Sequence, residues 1–310
     1  MGKIDDVTKE YVRHNEIFAD IFNYFLYNGE QIIKPEYLKE CDITQIALPY
    51  GNREKDSVQK YRDVLKALQI MEDENGIYVL LGAELQTKIH YAMPARNMLY
   101  DAINYVGQIN LAAKNHPIRK RKGITSDEFL SNFSKKDKIL PVITLVVYFG
   151  SKKWDGPIRL HDMFNGTNDT LLKFVPDYVI NLISPDSMSE EDFNKFHTEF
   201  RKVMKFIKFS SNKDALQNML DSDKSFETVS RETANVINVI TNSGFSISEK
   251  EEVINMCKAI KEIREEERAE GRLEILIGLV KDKLLTISDA ASRANMSVED
   301  FEKAAGLNAL

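Results

Sequence analysis

Apolar residues recur at helical spacing over residues 9–27, where Val12, Ile17, Phe18, Ile21, Phe22 and Phe25 share one broad face. The pattern predicts one helix, stopped by Asn28-Gly29, with Asp20 and Asn23 on its polar edge. A short extended piece and a turn follow over 32–38, and Pro49-Tyr50-Gly51-Asn52 reads as another turn. The periodicity then changes: DVLKALQIM (63–71) and IYVLLGAELQ (77–86) read as two strands joined by a segment ending in Asn75-Gly76, a strong hairpin signal. A helix is predicted over 94–114, with Pro94 tolerated near its start. Leu99, Ile103, Val106 and Ile109 form its expected buried face, and Arg96, Tyr100 and Asn104 an adjoining stripe.

Residues 116–138 have little apolar periodicity and read as a long loop with one short helix near 127–133. The β-branched run ILPVITLVVYFG (139–150) is the pattern of a central strand covered on both faces. Another strand is expected over 175–183, and helices over 189–209 and 213–221. The order strand, strand, helix, strand defines an α/β domain, set at residues 1–225. From 226 onward the strand signals vanish, which gives an all-α C-terminal region, 226–310. One or two long helices are predicted over 248–283, flexed at Gly271 and Gly278, with the all-polar stretch EEERAEGR inside. Two short helices, 286–294 and 297–305, close the chain, the second capped by Ser297. The pair has the outline of a helix-turn-helix. Its second helix begins Val298-Glu299-Asp300-Phe301-Glu302, however, and acidic residues there repel DNA phosphates, which favours packing or homo-oligomerisation through these C-terminal helices.

Composition narrows the class of protein. The chain has 310 residues, a net charge of -6 and only two cysteines, Cys41 and Cys257, which are far apart and in no zinc-type spacing. A reducing cytoplasm fits this cysteine usage. The polar N-terminus is unlike a signal peptide, and no apolar run reaches membrane-spanning length, so no membrane partner is expected. The charge is uneven: residues 107–153 hold ten Lys and Arg against three Asp and Glu, with Arg119, Lys120, Arg121 and Lys122 consecutive. Such asymmetry marks either a local polyanion footprint or a solvated loop. Trp154, the only tryptophan, offers a surface for base stacking or packs at a domain rim.

The candidate chemistry lies in the hairpin. Glu84 and Gln86 stand two apart on one strand and share a face, and antiparallel pairing brings Asp63 toward them. Two carboxylates and an amide oxygen are the ligand type of a hard cation such as Mg²⁺, and a cation so held polarises a phosphodiester and activates water. An acidic surface hairpin with no metal is the plainer reading of that spacing taken alone.

Four stretches carry a family resemblance: ALPYGNREKDSVQKYRDVLKAL, GAELQTKIHYAMPARNMLYDAINYVGQ, LPVITLVVYFG followed by Trp154, and the Glu/Gly/Arg-rich helical tail. Together they resemble the recombination-promoting nuclease and transposase-like (YhgA-like) family of the PD-(D/E)XK nuclease superfamily. The resemblance implies a restriction-endonuclease-like mixed sheet with flanking helices and an Mg²⁺- or Mn²⁺-dependent DNA endonuclease that promotes recombination or transposition. It implies Asp63 and Glu84 as metal-binding carboxylates, helped by the carbonyl of Ala83 or Leu85. Gln86 takes the place of the superfamily lysine and would orient water. Arg96, beside Tyr100, would neutralise phosphate, and Arg119 to Lys122 would track the DNA backbone without reading sequence. The alternative is a catalytically inactive DNA-binding or oligomeric interaction protein that keeps the fold.

Overall fold

A computed structural model describes residues 2–41, 63–70, 77–115, 123–166, 168–248 and 250–306. The expected turn at 49–52, the turn joining the hairpin and the basic run Arg119 to Lys122 lie outside the described residues. The fold is mixed α/β. Two compact units are present: Met1–Met219 with Asn235–Asn242, and Leu220–Ala234 with Ser243–Leu310.

The first unit is built on a five-stranded sheet in the order β1 (Leu38–Glu40), β2 (Val64–Ile70), β3 (Ile77–Gln86), β4 (Val142–Tyr148), β5 (Asn181–Ile183). The pairs β1–β2 and β2–β3 are antiparallel, and β3–β4 and β4–β5 are parallel. The β2–β3 hairpin thus forms as its alternation predicts, with Val64 opposite Ala83. The long helix α3 (Met93–Asn115) is the crossover between parallel strands β3 and β4. The central strand β4 is buried along almost its whole length, as its β-branched run requires.

The helix expected over 9–27 is two helices, α1 (Lys3–Arg13) and α2 (Asn15–Tyr27), parted at His14, whose ψ of 128° is extended. The cause lies in a distant residue. Lys66 of β2, 1% exposed, donates from Nζ to the carbonyl of Arg13 and to Asn15 Oδ1, with its ammonium over the Phe18 ring. The lysine thereby satisfies a carbonyl that the end of α1 leaves open. Asp20 and Asn23 are not a solvent edge either, since both are fully buried. Asn23 exchanges two 2.8 Å hydrogen bonds with the backbone of Ile33. The Asp20 carboxylate accepts from the amides of His197 and Thr198 and from the Thr198 hydroxyl, at 2.6–3.0 Å. Those amides belong to a break in the helix expected over 189–209, which is α6 (Glu190–Asn194) and α7 (Phe200–Ser210). Periodicity could not report a break held open by a carboxylate so far away in sequence.

The buried face of α3 also differs from expectation. Leu99 is 42% exposed, whereas Met93, Asn97, Tyr100, Asp101 and Asn104 are buried. Part of this polar face is satisfied by β4 and its neighbours, while the Asn97 amide is buried with neither atom hydrogen-bonded among the described residues. Asp101 accepts from the hydroxyls of Thr144 and Tyr178 at 2.7 and 2.5 Å, and Gln108 both donates to and accepts from the Leu140 backbone. The loop helix α4 (Ser126–Ser131) begins with a capping box between Thr125 and Glu128. Trp154 packs edge-on against Tyr148 with ring centroids 5.3 Å apart, and its indole N–H donates to the Gly156 carbonyl. At 8% exposure it is a core residue, not a stacking platform. Of the strand expected over 175–183 only β5 forms, preceded by a single bridge from Val179 to Arg159.

A short helix α5 (Asp169–Leu172) precedes β5, and α8 (Lys213–Ser222) and α9 (Arg231–Thr241) carry the chain across the division between units. The second unit is not purely helical, because β6 (Val229–Ser230) and β7 (Val253–Ile254) form a small antiparallel ladder. One helix, α10 (Met256–Lys281), replaces the flexed segment expected over 248–283. It starts at the Asn255 cap and runs through Gly271 and Gly278 without interruption. The short helices α11 (Ile287–Ala294) and α12 (Val298–Ala305) fold onto its last turns, where Leu276, Ala290, Ala291 and Phe301 form a cluster. Ser297 caps α12 as its sequence predicts.

Candidate active site at the carboxyl ends of β3 and β4

In open sheets with parallel strands, ligands sit outside the carboxyl ends of those strands. Two cavities, of about 600 and 730 Å³, lie there and share Thr87, Lys88 and Ile89. The first is lined by Asp5 and Lys9 of α1, by Asp63, by Gln86 at the end of β3, by Lys88 and His90 beyond it, and by Arg96 and Tyr100 of α3. Three elements that the sequence spaces widely thus contribute to one concavity.

Asp63 stands just before β2, and continuing the β2–β3 register by one residue sets it opposite Glu84. Its Oδ2 accepts the Leu85 amide at 2.8 Å, and its Oδ1 lies 2.8 Å from Lys9 Nζ. The carboxylate is therefore fixed at both oxygens. Glu84 is completely buried and is not among the residues lining the cavity; its Oε2 lies 3.4 Å from Nη2 of Arg96, which does line it. Arg96 also donates through Nε to the Tyr100 hydroxyl at 3.0 Å and stacks over that ring. Burial opposes its charge, but Glu84, Tyr100 and Asp63 outweigh that cost, and the guanidinium pKa rises above its ordinary value. Gln86, two residues beyond Glu84 on the same face of β3, reaches the cavity.

The structure therefore brings together Asp63, Glu84, Gln86, Arg96 and Tyr100. The expected backbone-tracking residues Arg119, Lys120, Arg121 and Lys122 are outside the described residues, while Lys114, Lys135, Lys136 and Lys138 on either side are exposed. Sequence reasoning missed Lys9, Asp5 and His90 at this site. No local spacing links residue 9 to residue 63. The second cavity adds Lys152 and Lys153, and Tyr91, whose hydroxyl donates to Asp155 at 3.0 Å.

As a donor set for a metal, Asp63, Glu84, Gln86 and the β3 carbonyls are all hard oxygens, the kind that Mg²⁺ or Mn²⁺ takes with one or two carboxylates. Among the described residues no group of three or more His, Cys, Asp and Glu is gathered closely enough to hold a metal ion, here or elsewhere. The residues fit such an ion in chemical kind, with Lys9 and Arg96 balancing the two carboxylates as they stand.

The chain belongs to the family described as "Putative transposase, YhgA-like", whose model matches residues 5–236. Membership suggests a role in DNA rearrangement. No curated protein and no solved structure matches the chain. Among the described residues no helix is long and apolar enough to cross a membrane.

Proposed function

We propose that the protein is a divalent-metal-dependent DNA endonuclease of the PD-(D/E)XK type, cutting phosphodiesters in the course of recombination or transposition. The observation that carries this reading is the Asp63 carboxylate, held by the Leu85 amide beside the buried Glu84 at the rim of a cavity flanked by Lys9, Lys88 and Arg96. The β2–β3 hairpin, the α3 crossover and parallel β4 fit the core such nucleases use. Asp63 and Glu84 would hold Mg²⁺ or Mn²⁺, whose chemistry is to polarise the phosphate and lower the pKa of water. Arg96 would neutralise phosphate charge, Gln86 would orient a water through its amide, and the flanking lysines would bind the backbone without reading sequence. Assembly into a homo-oligomer through the C-terminal helices is part of this reading, and light scattering tests it directly.

A second reading, a DNA-binding protein without catalysis, is favoured by one specific feature. Both carboxylates already face cations of the chain itself, and residue 86 is an amide. Supercoiled plasmid incubated with the protein and Mg²⁺ or Mn²⁺ separates the two. The nuclease reading expects nicked or linear product, lost with EDTA and with Glu84→Gln. Intact plasmid under both metals, together with a salt-sensitive gel shift, establishes the second reading instead.

A further inference from the structure

We propose that Lys9, on the first helix, supplies to the bound phosphate the ammonium group that the Glu-x-Gln strand lacks. The inference rests on the nuclease reading for calling that phosphate scissile, but the contact itself requires only a bound polyanion.

Gln86 stands where the resemblance implies a lysine, and an amide carries no charge. The cavity's positive groups beside Asp63 come from other elements, Arg96 on α3 and Lys9 on α1. Lys9 Nζ sits 2.8 Å from Asp63 Oδ1, and the two side chains are only 21% and 10% exposed. An ammonium has three donors, so contact with Asp63 leaves two for a phosphate oxygen in the same cavity. The position of Lys9 is not left to a flexible tail. Thr8, Tyr11 and Val12 are buried on either side of it, and the carbonyl of Arg13, one helical turn further, is held by Lys66.

The alternative role for the pair is to tie α1 to β2. The buried Tyr11 and Val12 and the Lys66 contact already do this, and a part-exposed ion pair adds little to such a joint. A lysine kept partly open at the cavity face, beside a carboxylate whose other oxygen is fixed by a backbone amide, is better placed to meet a ligand than to brace the fold.

The full-length protein, Lys9→Met, Lys9→Arg and the double variant Lys9→Met/Gln86→Lys are compared in two assays. The first is binding to one short DNA duplex in EDTA across a salt series, which needs no catalysis. Lys9→Met is expected to reduce the magnitude of the log–log salt slope by about 0.9, the signature of one lost phosphate contact, and Lys9→Arg to retain it. Gln86→Lys is expected to restore the slope by returning an ammonium to the same cavity. The second is plasmid cleavage with Mg²⁺, where loss of one charged donor at the reacting group lowers the rate by about 10²-fold and the double variant recovers part of it. An unchanged salt slope in Lys9→Met, with or without a lower melting temperature, overturns the proposal and leaves the pair a structural link. Wild type that binds DNA yet never cuts overturns the nuclease reading, and the slope still decides the phosphate contact. Wild type that neither binds nor cuts overturns both.

Discussion

Arg96 Nη2 lies 3.4 Å from Oε2 of a Glu84 that no solvent reaches, and the same guanidinium donates to Tyr100 one turn along its own helix. The arginine thus joins α3 to the strand that carries the candidate chemistry. Removing it leaves a buried carboxylate without that cation, whereas replacing Glu84 by Gln at the same time removes the buried charge as well. Arg96→Met should therefore destabilise the first unit by on the order of 3 kcal/mol, and Arg96→Met/Glu84→Gln by less than the sum of the single changes. Urea melts of the four proteins give the coupling. Strict additivity would show that the pair does not interact in solution.

Asp20 makes a stability prediction remote from the site. Its carboxylate holds two amides and a hydroxyl at the break between α6 and α7. Asp20→Ala leaves those part-buried donors without their acceptor and should cost on the order of 1–3 kcal/mol. Thermal unfolding measures it, and a shift within error would mean that water replaces the carboxylate.

Tyr24 stacks on Phe196 with centroids 4.3 Å apart, and burial first, then the charge of Asp192, pushes its phenol pKa from 10.0 up to about 12. A raised pKa means that the folded chain holds the proton more tightly than the unfolded one. The associated stability is complete below about pH 10 and is lost as pH rises through about 12. An ultraviolet titration should show a late-ionising component that shrinks in Tyr24→Phe; an identical curve for the variant would contradict the assignment.

Phe301 is the fully buried anchor of the cluster that joins α12 to α10 and α11. Phe301→Ala should cost about 3–5 kcal/mol in the second unit. Hydrogen exchange should then accelerate in residues 287–305 while β3 and β4 keep their protection. Uniform acceleration through both units would show instead that they unfold together.

Much of the first unit was legible because its signals are local. The alternation of 63–71 and 77–86 with Asn75-Gly76 between them specifies the hairpin, and the β-branched run specifies the central strand. Ser297 announces its helix by chemistry confined to one turn. What escaped was governed by partners distant in sequence. Lys66 divides the first helix, Asp20 divides another at residues 197–198, and Thr144 with Tyr178 makes a polar face of α3 the buried one. At the candidate site, strand parity placed Asp63, Glu84 and Gln86 together, and the stripe from Arg96 to Tyr100 followed from helical spacing. Lys9 did not, since only the fold brings α1 to β2.

The buried Lys66 has a practical consequence for handling the protein. It grips the last turn of α1, and one turn earlier Lys9 and Asp5 form a wall of the cavity. A version shortened by its first thirteen residues would retain every strand of the sheet, yet it would open one side of the cavity to solvent and leave the buried Lys66 ammonium with only Asn15 of its two oxygen partners. Under the proposed function such a version would lose cleavage although both carboxylates remained in place, so its failure would carry no information about the metal ligands.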